Sequence, residues 1–293
     1  MDVGTEVREK GYTGWEGRLI QRRFKWSPIA RTGIQLAFRK KRFKPLFAIS
    51  FLPAFFFLVG IYVAERLEDF RAFFREANSF IAVDPGFFRA YYSNGSIILF
   101  ILLVLAFAGS GLIADDLKNN SLQLYFSRPL RKKDYILGKL AVPAFFVSLL
   151  TFVPGLLFII FKLIFSGSFR FITEYPWLPL AVVGQSVLYI GFFGLYTLSL
   201  SAASRNSRYV MVLVVLVYFF SEILSGILKL IFRSPYTGLF SLGGNLNQIT
   251  AVFFSQKTPY AFSPVWSFLV LSILAVAGFI FLFRKIRGVE VIK

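Results

Sequence analysis

Long stretches without any charged residue constrain the fold of this chain more than any other feature of its sequence. Five of them cover residues 45–64, 90–114, 140–161, 175–204 and 258–283. A helix crosses the hydrocarbon core of a bilayer in about 20 residues, so each stretch is long enough for one crossing. A sixth stretch, 209–231, is equally apolar but contains Glu222 and Lys229. The pattern predicts an all-α membrane protein with six transmembrane helices.

The six spans divide the chain into three parts. Pro176 and Pro179 indicate that the fourth helix begins near Leu180, because proline is favoured in the first turn of a helix. We place the spans at about 45–64, 94–114, 140–161, 180–202, 209–231 and 262–283. The transmembrane domain is then 45–283, between a cytoplasmic N-terminal segment 1–44 and a cytoplasmic tail 284–293.

The positive charge of the chain is distributed unevenly along it. The net charge is +18, which by itself would suggest a nucleic-acid partner. However, 24 of the 33 Lys and Arg residues lie in alternate segments, namely 1–44, 115–139, 205–208 and the stretch after Phe283. Because cytoplasmic segments of membrane proteins collect Lys and Arg, both termini are expected in the cytoplasm. The charge therefore predicts a multi-pass protein of the cell membrane, and no nucleic-acid partner is needed to explain it.

The sequence lacks the residues that most catalytic and metal sites require. It has no His and no Cys, which removes the commonest general base, the commonest metal ligand and any disulfide. The phosphate-binding pattern G-x-x-x-x-G-K-[ST] does not occur either. We therefore expect that the chain is not an enzyme and binds no cofactor or metal of its own.

Glu222 and Lys229 are the charged residues expected inside a span. Such charges are costly in lipid and usually face a bundle interior or a cavity. At 1.5 Å per residue they lie about 10 Å apart along one helix, too far for a direct pair. Glu222 could line a polar pathway, or it could make a structural contact with another helix while Lys229 reaches the membrane surface.

Three segments outside the spans also have sequence patterns that predict local structure. Ser27 reads as an N-cap before Pro28, and the helix that follows, ending near Arg39, is amphipathic. It predicts an interfacial helix leading into the first span, which could be a simple membrane anchor. Apolar residues over 67–81 predict a helix on the outer membrane surface, closed by a turn at 84–86. The segment 232–261 is expected to be partly re-entrant or packed on the surface.

The segment 115–139 is the most informative part of the sequence. A short helix is predicted at about 121–127, in which Leu122, Tyr125 and Phe126 share one face. Pro129 ends it, because a residue before proline disfavours the helical conformation. The nearby cations are Arg128, Arg131 and Lys132. A short cytoplasmic helix with exposed apolar side chains and a basic rim is typical of a protein-docking element, whereas a solvated loop would not expose such residues.

This segment resembles the signature of type-2 ABC exporter permeases. The family pattern is an acid, a Thr/Ser-Leu helix, a proline, a basic pair and a Leu-Gly-Lys ending. The matching residues here are Asp116, Ser121, Leu122, Pro129, Arg131, Lys132, Leu137, Gly138 and Lys139. The helix before the first span, the Ser-rich end of the fourth span and the basic tail are also similar to that family. One departure is Asn119-Asn120, where the family often has Glu or Ser followed by a turn Gly.

The resemblance implies that the chain is the transmembrane permease subunit of an ABC exporter. It would pair with a second copy or a paralogue, and a separate ATPase subunit would bind the ATP. The coupling residues would be Asp116, Ser121, Leu122, Tyr125, Phe126, Arg128, Pro129, Arg131 and Lys132. The alternatives are a non-transporting membrane scaffold or assembly protein and an integral-membrane enzyme acting on lipid. The missing His and Cys argue against the enzyme.

Overall fold

The computed structural model describes residues 24–66, 82–126 and 130–287, with all their side chains except those of Phe126 and Arg287. Within these ranges the regular structure is entirely helical. The helices are, in chain order, α1 (Ser27–Arg39), α2 (Phe43–Ile49), α3 (Leu52–Glu65), α4 (Pro85–Ser93), α5 (Gly95–Gly109), α6 (Gly111–Lys118), α7 (Ser121–Phe126), α8 (Lys132–Ser166), α9 (Arg170–Glu174), α10 (Leu178–Ala203), α11 (Ser207–Phe232), α12 (Leu242–Phe253) and α13 (Pro264–Arg287), with a 3₁₀ turn at Pro235–Phe240 between α11 and α12.

Six helical segments of the described chain are long and apolar enough to cross a membrane, which confirms the predicted number of candidate spans. They are Phe43–Glu65, Gly95–Lys118, Lys132–Ser166, Leu178–Ala203, Ser207–Phe232 and Pro264–Ile286. Each overlaps one predicted span. The third is much longer than predicted, because α8 begins eight residues earlier, at Lys132, and ends five residues later, at Ser166.

The second span is the centre of the bundle. In its most apolar window 72% of the residues are buried, against 22% in the first and fifth spans and 17% in the sixth. Because the first, fifth and sixth spans leave most of their apolar residues uncovered, these faces are available for lipid or for another chain.

Helix α1 packs across the beginning of the third span. Gly138 of α8 lies so close to α1 that a Cβ there would stand 2.7 Å from the Cβ of Ile29. Ala30 and Ala37 of α1 are buried. The predicted N-cap at Ser27 is wrong by one position: the helix starts at Ser27, and Trp26 precedes it without any side-chain cap.

Helix α4 begins where a closing turn was predicted. Asp84 is its N-cap and accepts a hydrogen bond from the backbone N–H of Phe87 at 3.0 Å. The expectation of a turn that ends a helix at 84–86 is therefore wrong, because the Asp84 carboxylate and Pro85 start a helix. The surface helix predicted over 67–81 lies outside the described residues.

Tyrosines of α4 compensate for a proline inside the third span. Pro154 has no N–H, so the carbonyl of Leu150 loses its helical partner. The hydroxyl of Tyr91 donates to that carbonyl at 2.6 Å, and the hydroxyl of Tyr92 donates to the next one, of Thr151, at 2.9 Å. These bonds explain how α8 remains helical through Pro154 within an apolar bundle.

Candidate docking and intramembrane sites

Asp116 lies near the end of α6 and joins the second span to the third. Its Oδ2 accepts a hydrogen bond from the hydroxyl of Tyr135 at 2.7 Å and lies 2.6 Å from the Nζ of Lys139. Tyr135 and Lys139 are four residues apart on α8, so they share one face of the helix. The side chains of Lys139 and Asp116 are only 10% and 14% exposed. An ion pair shielded to this extent holds two helix ends in a fixed relation, because breaking it would leave a buried charge without compensation.

Tyr125 attaches the short helix α7 to this ion pair. Its ring lies 5.6 Å from the Nζ of Lys139 and packs edge-on against the ring of Tyr135, with the centroids 5.3 Å apart. Burial raises the pKa of the Tyr125 hydroxyl, and the nearby negative charge of Asp116 adds to the shift. The phenol therefore stays protonated at neutral pH, and α7 is held by cation–π and aromatic contacts.

The predicted exposure of Leu122 is wrong. Leu122 is only 1% exposed and belongs to the hydrophobic core, with Tyr125 packed against that core beside it. The two residues do share one face of α7, as predicted, but that face is covered by the protein itself. The exposed side of α7 carries Gln123 and Leu124, and Leu124 is 68% exposed.

The remaining predicted coupling residues lie at the two ends of this unit. Ser121 begins α7 and is partly exposed, while Arg131 is exposed at the N-cap of α8 and Lys132 is its first residue. Arg128 and Pro129 lie outside the described residues, as does the side chain of Phe126.

The backbone conformation of Asn120 explains why the turn can lack the glycine that type-2 ABC exporter permeases often have there. Asn120 adopts a φ of 51°, in the left-handed region that favours glycine. Asparagine tolerates this conformation better than other residues with a side chain. The turn between α6 and α7 therefore forms without the glycine.

The second span is broken at Gly109–Gly111, which the sequence analysis did not predict. The hydroxyl of Ser201, on the fourth span, accepts from the backbone N–H groups of Ile113 and Ala114 at 3.0 and 3.1 Å. It also donates to the carbonyl of Ser110 at 2.7 Å. One serine thus serves the backbone groups that the break leaves without helical partners. The pair of glycines around Ser110 is the signal that could have revealed it.

Lys40 reaches the same break from the other side. Its Nζ donates to the carbonyl of Phe107 at 2.6 Å. Burial lowers the pKa of Lys40, although the charge of Asp115 acts in the opposite direction. The segment between α1 and the first span is therefore tied directly to the second span.

Glu222 caps a helix. Its Oε1 accepts from the backbone N–H of Gly243 at 2.7 Å, and its Oε2 accepts from the hydroxyl of Ser241 at 2.6 Å. Ser241 is itself the N-cap of α12 and accepts from the N–H of Gly244 at 2.6 Å. A carboxylate at this position satisfies free N–H groups and is stabilised by the positive end of the helix dipole.

These contacts describe how the segment 232–261 returns into the bundle. Glu222 lies about 15 Å before the end of α11 at 1.5 Å per residue. The hydroxyl of Ser225 donates to the carbonyl of Thr237, in the 3₁₀ turn, at 2.9 Å. The chain therefore turns back along α11 after Phe232, and α12 begins at the depth of Glu222. Lys229 lies exposed in the last turn of α11, where a cation suits the helix C-terminus.

Comparisons with known proteins give no family for this chain. A scan against models of protein families finds no match, and a search of curated proteins finds none. The resemblance to ABC exporter permeases rests on the residues of segment 115–139.

Proposed function

We propose that this chain is the transmembrane permease subunit of an ABC exporter in the cell membrane, with both termini in the cytoplasm. Two such bundles, from two copies or from this chain and a paralogue, would enclose the substrate path. A separate ATPase subunit would supply the energy, because the sequence contains no phosphate-binding loop of the kind that holds ATP.

The proposal rests on how α7 is attached to the bundle. It is a short helix at the charged ends of two spans, with Leu122 and Tyr125 fixed to the bundle and Leu124 pointing away from it. A helix held rigidly on one side, with an exposed leucine on the other, suits a partner groove. The exposed Arg131 would lie at the rim of that contact, where a charge affects orientation and association rate.

The Asp116–Lys139 ion pair links the part of the bundle that holds α7 to both the second and the third span. Asp116 belongs to the second span and Lys139 to the third, so a displacement of α7 by the ATPase would act on both spans together. Rigid-body motion of packed helices is a common form of such transitions. In this mechanism the buried residues of segment 115–139 transmit the motion, and the exposed ones receive it.

The proposal is tested by removing the exposed apolar side chain of α7. Burying one leucine contributes about 1.5–3 kcal/mol, so Leu124→Ala should weaken ATPase binding at least tenfold. Gln123→Ala is the matched control, because it shortens a neighbouring exposed residue of the same helix without removing apolar contact area. The readouts are co-purification of an ATPase chain from native membranes and substrate transport in vesicles.

Two results would count against the proposal. One is that no ATPase chain co-purifies with the wild-type protein, which would favour a non-transporting scaffold. The other is that Leu124→Ala retains the ATPase as well as Gln123→Ala does, in which case α7 is not the docking element.

A further inference from the structure

A cleft opens between the fifth and sixth spans. Its volume is about 660 Å³, within the range of roughly 300–1,000 Å³ that ligand pockets occupy. The fourth span forms its floor through Tyr196 and Ser199, and the 3₁₀ turn closes one end with Leu239 and Phe240. Ala275 lies on the wall that the sixth span forms, and the fifth and sixth spans leave most of their apolar residues uncovered.

The surface of the cleft is apolar. Three of its lining residues have hydroxyl groups, and each of these already donates to a backbone carbonyl of the protein. Tyr196 donates to Val214, Ser199 to Leu195 and Ser221 to Tyr218, at 2.8, 2.7 and 2.7 Å. The rest of the lining consists of apolar side chains and Gly278. An occupant therefore gains by burying apolar surface there and finds few hydrogen-bond donors.

Cations gather at the end of the cleft that the 3₁₀ turn leaves open. Arg208 precedes Val217, the nearest cleft residue of α11, by about 14 Å of helix, and Arg284 follows Gly278 by about 9 Å, at 1.5 Å per residue. Arg208, Arg284 and Lys285 are exposed, and α11 and α13 direct these ends to the same side of the bundle. Long basic side chains at such a level reach lipid phosphates while their stems remain against apolar surface.

We propose that this cleft is a binding site for an anionic glycerophospholipid from the leaflet at the Arg208 end. One acyl chain would lie between the fifth and sixth spans, and the phosphate would contact Arg208, Arg284 and Lys285. A second copy of the chain fits the site less well. Two copies related by an axis along the membrane normal would bring the same cationic ends together, and like charges repel. The proposal does not depend on the transport function or on the orientation of the chain.

The test compares tryptophans placed inside and outside the cleft. Ala275→Trp fills it from the sixth span, and Leu224→Trp fills it from the fifth. Ala277→Trp is the matched control, because Ala277 is exposed on the same helix as Ala275 but does not line the cleft. Each protein is expressed in membranes that contain phosphatidylglycerol and phosphatidylethanolamine and is then extracted in mild detergent. Native mass spectrometry counts the retained phospholipid, and size-exclusion profiles check folding.

We expect the wild type and Ala277→Trp to retain phospholipid enriched in phosphatidylglycerol. Both cleft variants should retain at least fivefold less. Arg208→Gln combined with Arg284→Gln and Lys285→Gln should abolish the enrichment while leaving a lipid bound. Equal retention by Ala275→Trp and Ala277→Trp would overturn the proposal. So would a cleft variant that changes the oligomeric mass without changing the lipid count, because the cleft would then hold a second copy.

Discussion

Replacement of Glu222 by glutamine tests whether this intramembrane carboxylate serves the fold. Glutamine keeps the size of the side chain but replaces one acceptor oxygen by a donor. One of the two bonds, to the N–H of Gly243 or to the hydroxyl of Ser241, then loses its acceptor. The favourable interaction of the carboxylate with the N-terminus of α12 is lost as well.

The magnitude follows from the two contacts. A hydrogen bond to a charged group contributes about 1.5–3 kcal/mol, so we expect a loss of about 2 kcal/mol. For a chain of this size that corresponds to a decrease in melting temperature of roughly 4–8 °C. Glu222→Ala should cost more, because it leaves both donors without an acceptor in a partly buried site.

The measurement is thermal unfolding of the purified protein in detergent, followed by transport in vesicles at a temperature where the variant is folded. Glu174→Gln is the control, because Glu174 is exposed at the end of α9 and takes no part in the bonds of Glu222 to Ser241 and Gly243. If Glu222→Gln unfolds at the wild-type temperature yet fails to transport, the carboxylate belongs to the transport path and the capping argument is wrong.

Three further predictions concern other parts of the chain. With no native cysteine, Lys257→Cys should react with an impermeant thiol reagent added outside the cell and Arg205→Cys should not; the reverse labelling would overturn the proposed orientation. Lys139→Met should lower the free energy of unfolding by about 3 kcal/mol, and Asp116→Leu in the same chain should restore part of this loss. A double-mutant cycle of melting temperatures measures both effects, and additive effects would contradict the coupling of the two residues. The purified chain alone should hydrolyse no ATP above background, and hydrolysis by a preparation free of other chains would refute the assignment of that reaction to a partner.

The spans could be predicted from the sequence because crossing a membrane requires length and apolarity, and both are visible in composition. The break in the second span could not be predicted in the same way. A straight helix and a broken one have the same hydropathy, and the difference depends on Ser201, which is distant in sequence and supplies the missing backbone partners.

For segment 115–139, prediction from the sequence is limited in the same way. Helical periodicity correctly places Leu122 and Tyr125 on one face of α7. It does not indicate what covers that face, because a pattern of apolar residues is the same whether the partner is another protein or the chain's own core. The structure buries Leu122, and the exposed apolar residue is Leu124, which the periodicity assigns to the other side.

Three polar residues within the bundle share one physical role. Tyr91 serves the carbonyl freed by Pro154, Ser201 serves the break in the second span, and Glu222 serves the N–H groups that begin α12. In each case an irregular backbone at membrane depth is matched by a side chain that satisfies it, as the absence of water in lipid requires. Loss of transport after substitution of these residues would therefore be ambiguous unless folding is measured as well. Because these three groups already bind other groups of the chain, they are not available to line the substrate path that we propose.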